Sequence, residues 1–166
     1  MEKIDVFDGQ YFFLSNFYPA KVEFGGLTYL SSEAAFQAQK CPERAKEFIN
    51  LNPSEAKRLG RKVKLRDGWD NAKGFVMEAI CKRKFLQNPD LLEKLLATGD
   101  AELIEGNTWN DKYWGVCNGE GENNLGIILM RLRRHFAVSR ELAVSGKCRY
   151  WDDCMTCARN NDCFNF

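Results

Sequence analysis

The segment Ser31-Ser32-Glu33-Ala34-Ala35-Phe36-Gln37-Ala38-Gln39-Lys40 constrains the fold more than any other part of this chain. It holds neither Pro nor Gly, opens on two serines of the kind that cap helix N-termini, and is closed by Pro42. A helix over 32–41 is predicted. Directly before it, Val22-Glu23-Phe24, Gly25-Gly26 and Leu27-Thr28-Tyr29 predict a hairpin, because the glycine pair supplies the positive φ of a tight turn. Glu33, Gln37 and Lys40 recur at i, i+4 and i+7, which is one face at 3.6 residues per turn. On spacing alone such a face is most often solvated. It also brings together an acid, an amide and an amine, the minimum for acid–base or amine-nucleophile chemistry.

Further along, Pro53-Ser54 predicts a short helix ending near Gly60, and a basic stretch from Lys57 to Arg66 follows. Trp69 to Phe85 reads as a long amphipathic helix with Phe75, Val76, Ala79, Ile80 and Lys84 at helical spacing. Asn88-Pro89-Asp90 breaks it and starts a helix over Leu91–Ala97, stopped by Thr98-Gly99-Asp100. A short strand is expected over 101–105 and a last helix over 125–138, with Ile127, Ile128, Met130 and Leu132 on its apolar side. Strands and helices alternate too irregularly for a doubly wound sheet. The fold class is α+β, a mostly helical single domain with a few short strands over 1–146, plus a small cysteine-rich tail over 147–166.

Composition excludes several classes. The formal net charge of +1 gives no global signal for nucleic acid or membrane. No apolar run approaches the roughly 18 residues of a membrane span, and the charged start Met1-Glu2-Lys3 lacks the apolar centre of a signal peptide. A cytoplasmic, monomeric protein is expected. No phosphate-binding glycine fingerprint is present. The single histidine, His135, lies among arginines, which argues against triad enzymes and leaves carboxylates and lysine as the catalytic groups.

The loop Asn107–Asn124 is long, aromatic and glycine-rich, with Trp109, Asp111, Trp114, Gly115 and Gly121. Asn123 stands before the last helix either as a cap or at an anion site formed by the helix N-terminus. The tryptophans fit core anchors as well as platforms for a planar base. Cys148, Cys154, Cys157 and Cys163 fall within the last nineteen residues, in the spacing C-x5-C-x2-C-x5-C. Four thiols so close predict a structural zinc held by all four cysteines, with an iron–sulfur cluster second. The remaining cysteines read as buried and free. No cofactor is expected for catalysis.

Several separated motifs, in order, resemble one family. Phe13-Leu14-Ser15-Asn16-Phe17-Tyr18-Pro19 precedes Glu33, Gln37 and Lys40; Trp69 and Met77 lead to Lys84-Phe85-x-Gln87-Asn88. Leu96-x-Thr98-Gly99-Asp100, Leu103-x-Glu105, Asp111-x-x-Trp114-Gly115 and Gly121-x-Asn123-x-Leu125-Gly126 complete the set. Over about residues 7–136 this resembles the NADAR (YbiA-like) family. The resemblance implies N-glycosidic bond chemistry on a nucleotide-like or ADP-ribosyl substrate. The implied substrates are ribosylamino-pyrimidine phosphates of the riboflavin pathway, or ADP-ribose on guanine, with nucleic acid as a carrier in the second case. Catalytic roles then fall to Lys40 as nucleophile, Glu33 in proton transfer and Asp111 in stabilising positive charge. Asn16, Gln37, Trp69, Trp114, Gly115, Gly121 and Asn123 are expected to bind substrate. The competing reading is a non-catalytic ADP-ribose or nucleotide-binding module, which does not need Glu33, Lys40 and Asp111 together.

Overall fold

Gly25 and Gly26 both take positive φ, 61° and 75°, and fold strand β2 (Pro19–Phe24) back on β3 (Leu27–Ser31). The hairpin is antiparallel, with Val22 opposite Tyr29 and Phe24 opposite Leu27. The computed structural model describes residues 2–145. Ser31 ends β3 and at once caps helix α1 (Ser32–Ala38), its hydroxyl accepting from the Ala34 N–H at 3.1 Å.

Helix α1 is the centre of the molecule: all seven of its residues are buried. Ala34, Ala35 and Ala38 keep it thin enough for its neighbours to close over it. Those neighbours are the hairpin, the 3-10 segment Pro42–Phe48, α2 (Pro53–Gly60) and α3 (Trp69–Gln87). The solvated helix face that the spacing alone favoured is therefore absent. The helix is also shorter than expected, since Gln39 and Lys40 fall in the turn beyond Ala38.

Helix α2 starts as predicted. Pro53 fills the first turn, and Asn52 and Glu55 form a capping box, each side chain bonded to the other's backbone N–H at 3.0 Å. Helix α3 follows Gly68 at φ 72° and buries Trp69, Met77, Ile80, Cys81, Lys84 and Phe85. Phe75, expected on the apolar side, lies off that stripe and is 79% exposed. Helix α4 (Pro89–Ala97) begins two residues earlier than predicted, with Pro89 in its first turn. Helix α5 (Asn124–Val144) extends past the predicted end, and Ile127 on it is exposed.

Two short parallel ladders tie the ends together. Strand β1 (Lys3–Ile4) pairs with β4 (Glu102–Leu103), and β5 (Gly106–Asn107) with β6 (Val116–Cys117). The result is a helix-rich α+β domain with one core that runs from Ile4 to Phe136. No described helix is long and apolar enough to cross a membrane. Cys148, Cys154, Cys157 and Cys163, the predicted metal set, lie outside the described residues.

Lys84 is the least expected core residue. It is 1% exposed, and its Nζ donates to the carbonyls of Phe13 at 2.6 Å and Ser15 at 2.8 Å. The rings of Tyr18 and Phe85 stand beside the ammonium at 5.7 and 5.4 Å. Burial holds its pKa down at about 8. The lysine thus pins the Phe13–Tyr18 loop, which carries Asn16, onto α3. Replacing Lys84 with Met leaves two carbonyls without their donor and should cost about 2 kcal/mol or more in urea denaturation. Between about pH 8 and the ordinary 10.5 the unfolded chain binds the proton that folded Lys84 has released. Its contribution to stability therefore rises with pH across that window, and the Lys84→Met protein should lack the rise.

Candidate functional site

A cavity of about 670 Å³ opens beside α1. Glu33, Phe36 and Gln37 reach it from the helix, and Lys40 from the turn after it. The Phe13–Tyr18 loop supplies Ser15, Asn16 and Phe17; α2 supplies Lys57, with Arg61 just past its end, and α3 supplies Met77. The segment after β4 adds Glu105, Gly106, Trp109, Asp111 and Trp114 to the wall. Carboxylates and cations thus share one partly apolar space, within the size range of small-ligand sites.

Backbone bonds fix the groups. The Glu33 N–H donates to the Asn16 carbonyl at 3.0 Å, joining the loop to the first turn of α1. The Arg66 N–H donates to the Lys40 carbonyl at 2.8 Å, which holds the turn where Lys40 departs. Gln37 Nε2 donates to Glu33 Oε1 at 2.9 Å. Asn16 offers its amide to sulfur, donating to Met77 Sδ at 3.1 Å and accepting from Cys81 Sγ at 3.7 Å.

Burial sets the electrostatics. Glu33 is 6% exposed, and loss of water pushes its carboxyl above the ordinary range against the pull of Gln37, Lys57 and Lys40. Lys40 is half-buried, and its amine is lowered by desolvation, with Lys57 and Arg61 adding to the effect and Glu33 opposing it. A lowered amine beside a raised carboxyl is the condition for passing a proton between them near neutral pH. Asp111 Oδ1 accepts from the N–H groups of Tyr113 and Trp114 at 3.2 and 2.9 Å, which fixes the carboxylate at the cavity wall.

Glu105 is a site residue that the sequence does not single out. Burial, then Asp111 and Glu33, push its carboxyl up to about 8. Its only sequence signal is a place in the Leu103-x-Glu105 motif. Lys57 and Arg61 are equally hidden in a basic stretch that reads as a solvated helix and turn; here both line the cavity.

Four predicted binding residues stand behind the cavity rather than in its wall. Trp69 is 5% exposed and packs on Phe36 at 5.1 Å between centroids; Trp114 also meets Phe36, at 5.4 Å, and does reach the cavity. Asn123 spends its amide on the chain, accepting from the Glu105 N–H at 3.0 Å and donating to the Leu103 carbonyl at 2.9 Å. It makes no side-chain cap at the start of α5. Gly115 lies against the Glu105 carbonyl and Gly121 against that of Gly115; a Cβ at either would stand 2.1 Å from the oxygen. These residues pack the segments on either side of Glu105, which lies between β4 and β5. The predicted anion site at the start of α5 is closed, because the N–H groups of Asn124 and Leu125 already donate to the carbonyls of Tyr113 and Trp114. His135 lies exposed on α5 and lines none of the cavity.

The NADAR domain model matches residues 5–137. The N-glycosidase YbiA of Shigella flexneri is 41% identical over 132 residues, covering 76% of this chain and 82% of its own length. A riboflavin biosynthesis protein of Vibrio vulnificus is 39% identical over 132 residues, again 76% of this chain but 36% of that longer protein. The NMR structure of Escherichia coli YbiA superposes with a TM-score of 0.74 at 37% identity, over 84% of this chain and 89% of that one.

One contact supports the Glu33–Gln37 pair from behind. A Cβ on Gly60 would fall 1.9 Å from Gln37 Oε1, so this glycine leaves the room that the carboxamide fills. Gly60→Ala should push Gln37 off Glu33 and raise the Glu33 midpoint further in a carbon-13 carboxyl NMR titration, at a stability cost of about 1–3 kcal/mol. Gly74→Ala on α3, where nothing lies within 4 Å, is the control; it should leave Glu33 unchanged and stabilise by about 0.5–1 kcal/mol.

Proposed function

The chain belongs to the NADAR family, and from that premise we propose that it is an N-glycosidase acting through Lys40 and Glu33 on a ribose N-linked to a planar base. The observation that carries the reading is the half-buried amine of Lys40, lowered by desolvation, in one cavity with the buried carboxyl of Glu33 and with Asp111. A binding module has no need of a desolvated amine.

Each group has a task set by its surroundings. Neutral Lys40 attacks C1′ of the ribose, the C1′–N bond breaks, and the opened sugar is held as an imine until water releases it. Glu33, beside the amine, takes the proton that Lys40 sheds on bonding. Asp111 faces the positive charge that develops on the sugar as the bond lengthens. Trp114 gives a flat wall for the base, and Asn16 and Gln37 line the cavity with amides that would exchange their bonds to Met77, Cys81 and Glu33 for sugar hydroxyls. Lys57 and Arg61, at one side of the cavity, match a phosphate on the ribose.

Two substrate sources share this chemistry, ribosylamino-pyrimidine phosphates and ADP-ribose joined to guanine. A panel of the two, the second on DNA and RNA, separates them by released base. Borohydride added during turnover should fix a ribosyl mass on the wild type and none on Lys40→Ala, whose rate should fall at least about hundredfold. Full hydrolysis by Lys40→Ala excludes the nucleophile role.

The four tail cysteines are the basis for proposing a structural zinc. The purified protein should be colourless and carry about one zinc per chain by elemental analysis; a brown protein would indicate an iron–sulfur cluster instead.

A further inference from the structure

We propose that Glu105 is the general acid of this site, handing its carboxyl proton to the base nitrogen as the C1′–N bond breaks, while Glu33 serves the amine. The inference rests on the N-glycosidase reading above.

The placement of the groups divides the labour. Lys40 interacts with Glu33, Lys57 and Arg61. Glu105 interacts with Asp111, Glu33 and Lys57. Glu33 interacts with both Lys40 and Asp111, so its carboxyl is within electrostatic reach of each. Lys40 enters the cavity from the turn after α1, whereas Glu105, Asp111 and Trp114 enter it from the segment 105–114. An amine that attacks one side of C1′ needs the leaving base, and the acid that protonates it, on the other side. Trp114, the flat wall suited to that base, directly precedes Gly115 and Val116, which pack on and donate to the Glu105 carbonyl.

The wall is also rigid. The Glu105 N–H is held by Asn123 Oδ1 and its carbonyl accepts from the Val116 N–H at 2.9 Å. Gly106 and Gly115 press the segment on both sides, against the Asp5 carbonyl and the Glu105 carbonyl itself. No cation as close as a salt-bridge partner meets the Glu105 carboxyl among the described residues. Its pKa of about 8 keeps it protonated at neutral pH, as an acid catalyst must be. Asp8, Lys40 and Arg61 are the other charged groups on the cavity wall.

The step balances. The Glu105 O–H bond breaks and an N–H bond forms on the base, which also takes the C1′–N electron pair. The lone pair of Lys40 forms the new bond to C1′, and one amine proton goes to Glu33; the C1′–O4′ bond then breaks as O4′ takes the second amine proton, which opens the sugar and leaves the imine. Water later hydrolyses the imine, and the proton on Glu33 returns to Glu105.

The test compares two leaving groups in wild type and Glu105→Gln. A ribosylamino-pyrimidine 5′-phosphate needs its nitrogen protonated; the 5′-phosphate of 4-nitrophenyl ribofuranoside leaves as a stable phenolate without help. Glu105→Gln should slow the first by about hundredfold or more and leave the second near the wild-type rate. The fall in wild-type activity above about pH 8 on the first substrate should vanish in the variant. An unchanged rate on the N-riboside overturns the proposal, as does equal loss on both substrates with a native thermal melt. If the melt is not native, Glu105→Asp decides, since it should keep the alkaline fall. A wild type that cleaves neither of these, nor ADP-ribosyl guanine, removes the N-glycosidase reading itself.

Discussion

Everything at this site depends on a helix that has no wet side. Helix α1 is buried along its whole length, so Glu33 and Gln37 meet little water; Gln37 Nε2 donates to Glu33, while Gln37 Oε1 has no partner among the described residues. Burying an ionisable carboxyl is costly, and the cost appears as a raised pKa rather than as a lost fold because Gln37 and nearby cations partly compensate it. The alanines that let the core close over the helix are therefore as important to the chemistry as the acid. A larger residue at Ala34 or Ala38 would separate the elements packed on α1 and let water reach Glu33.

A second construction faces the helix. Gly106, Gly115, Gly121 and Gly126 each lie so close to a neighbouring carbonyl that a Cβ would stand 2.1 Å from it. They permit short segments, too brief to form an ordinary sheet, to pack as tightly as one. Asn123 takes a left-handed conformation at φ 53° to turn its amide onto Leu103 and Glu105. This frame gives that part of the wall a fixed position without a long strand. Lys84 does the same for the third side by fastening the Phe13–Tyr18 loop to α3.

Much of this was legible in the sequence where the signal was local. The Gly25-Gly26 hairpin and the Pro53 start each depend on adjacent residues and form as read, and of the two serines open as the cap it is Ser31 that bonds the Ala34 N–H. Glu33, Lys40 and Asp111 were assigned by family resemblance and line one cavity. What was not legible depends on distance in space. Glu105 looks like any strand-end carboxylate until the loop from Asn107 to Asn124 folds over it. Lys57 looks solvated until α2 packs on α1 and half-buries it, while Arg61 stays exposed yet reaches the cavity. Gly121 and Asn123 resembled ligand-binding residues because both binding and close packing call for glycine and asparagine; only the bond partners tell them apart.

The account turns on the coupling of Lys40 to Glu33. Its most direct test is nitrogen-15 NMR titration of the lysine side chains. Lys40 should titrate below the ordinary lysine value of 10.5, and Glu33→Gln should lower it further, because the carboxylate partly offsets the desolvation. A Lys40 that titrates like the surface lysines, unmoved by Glu33→Gln, would contradict the coupling and with it the assignment of this amine as the nucleophile.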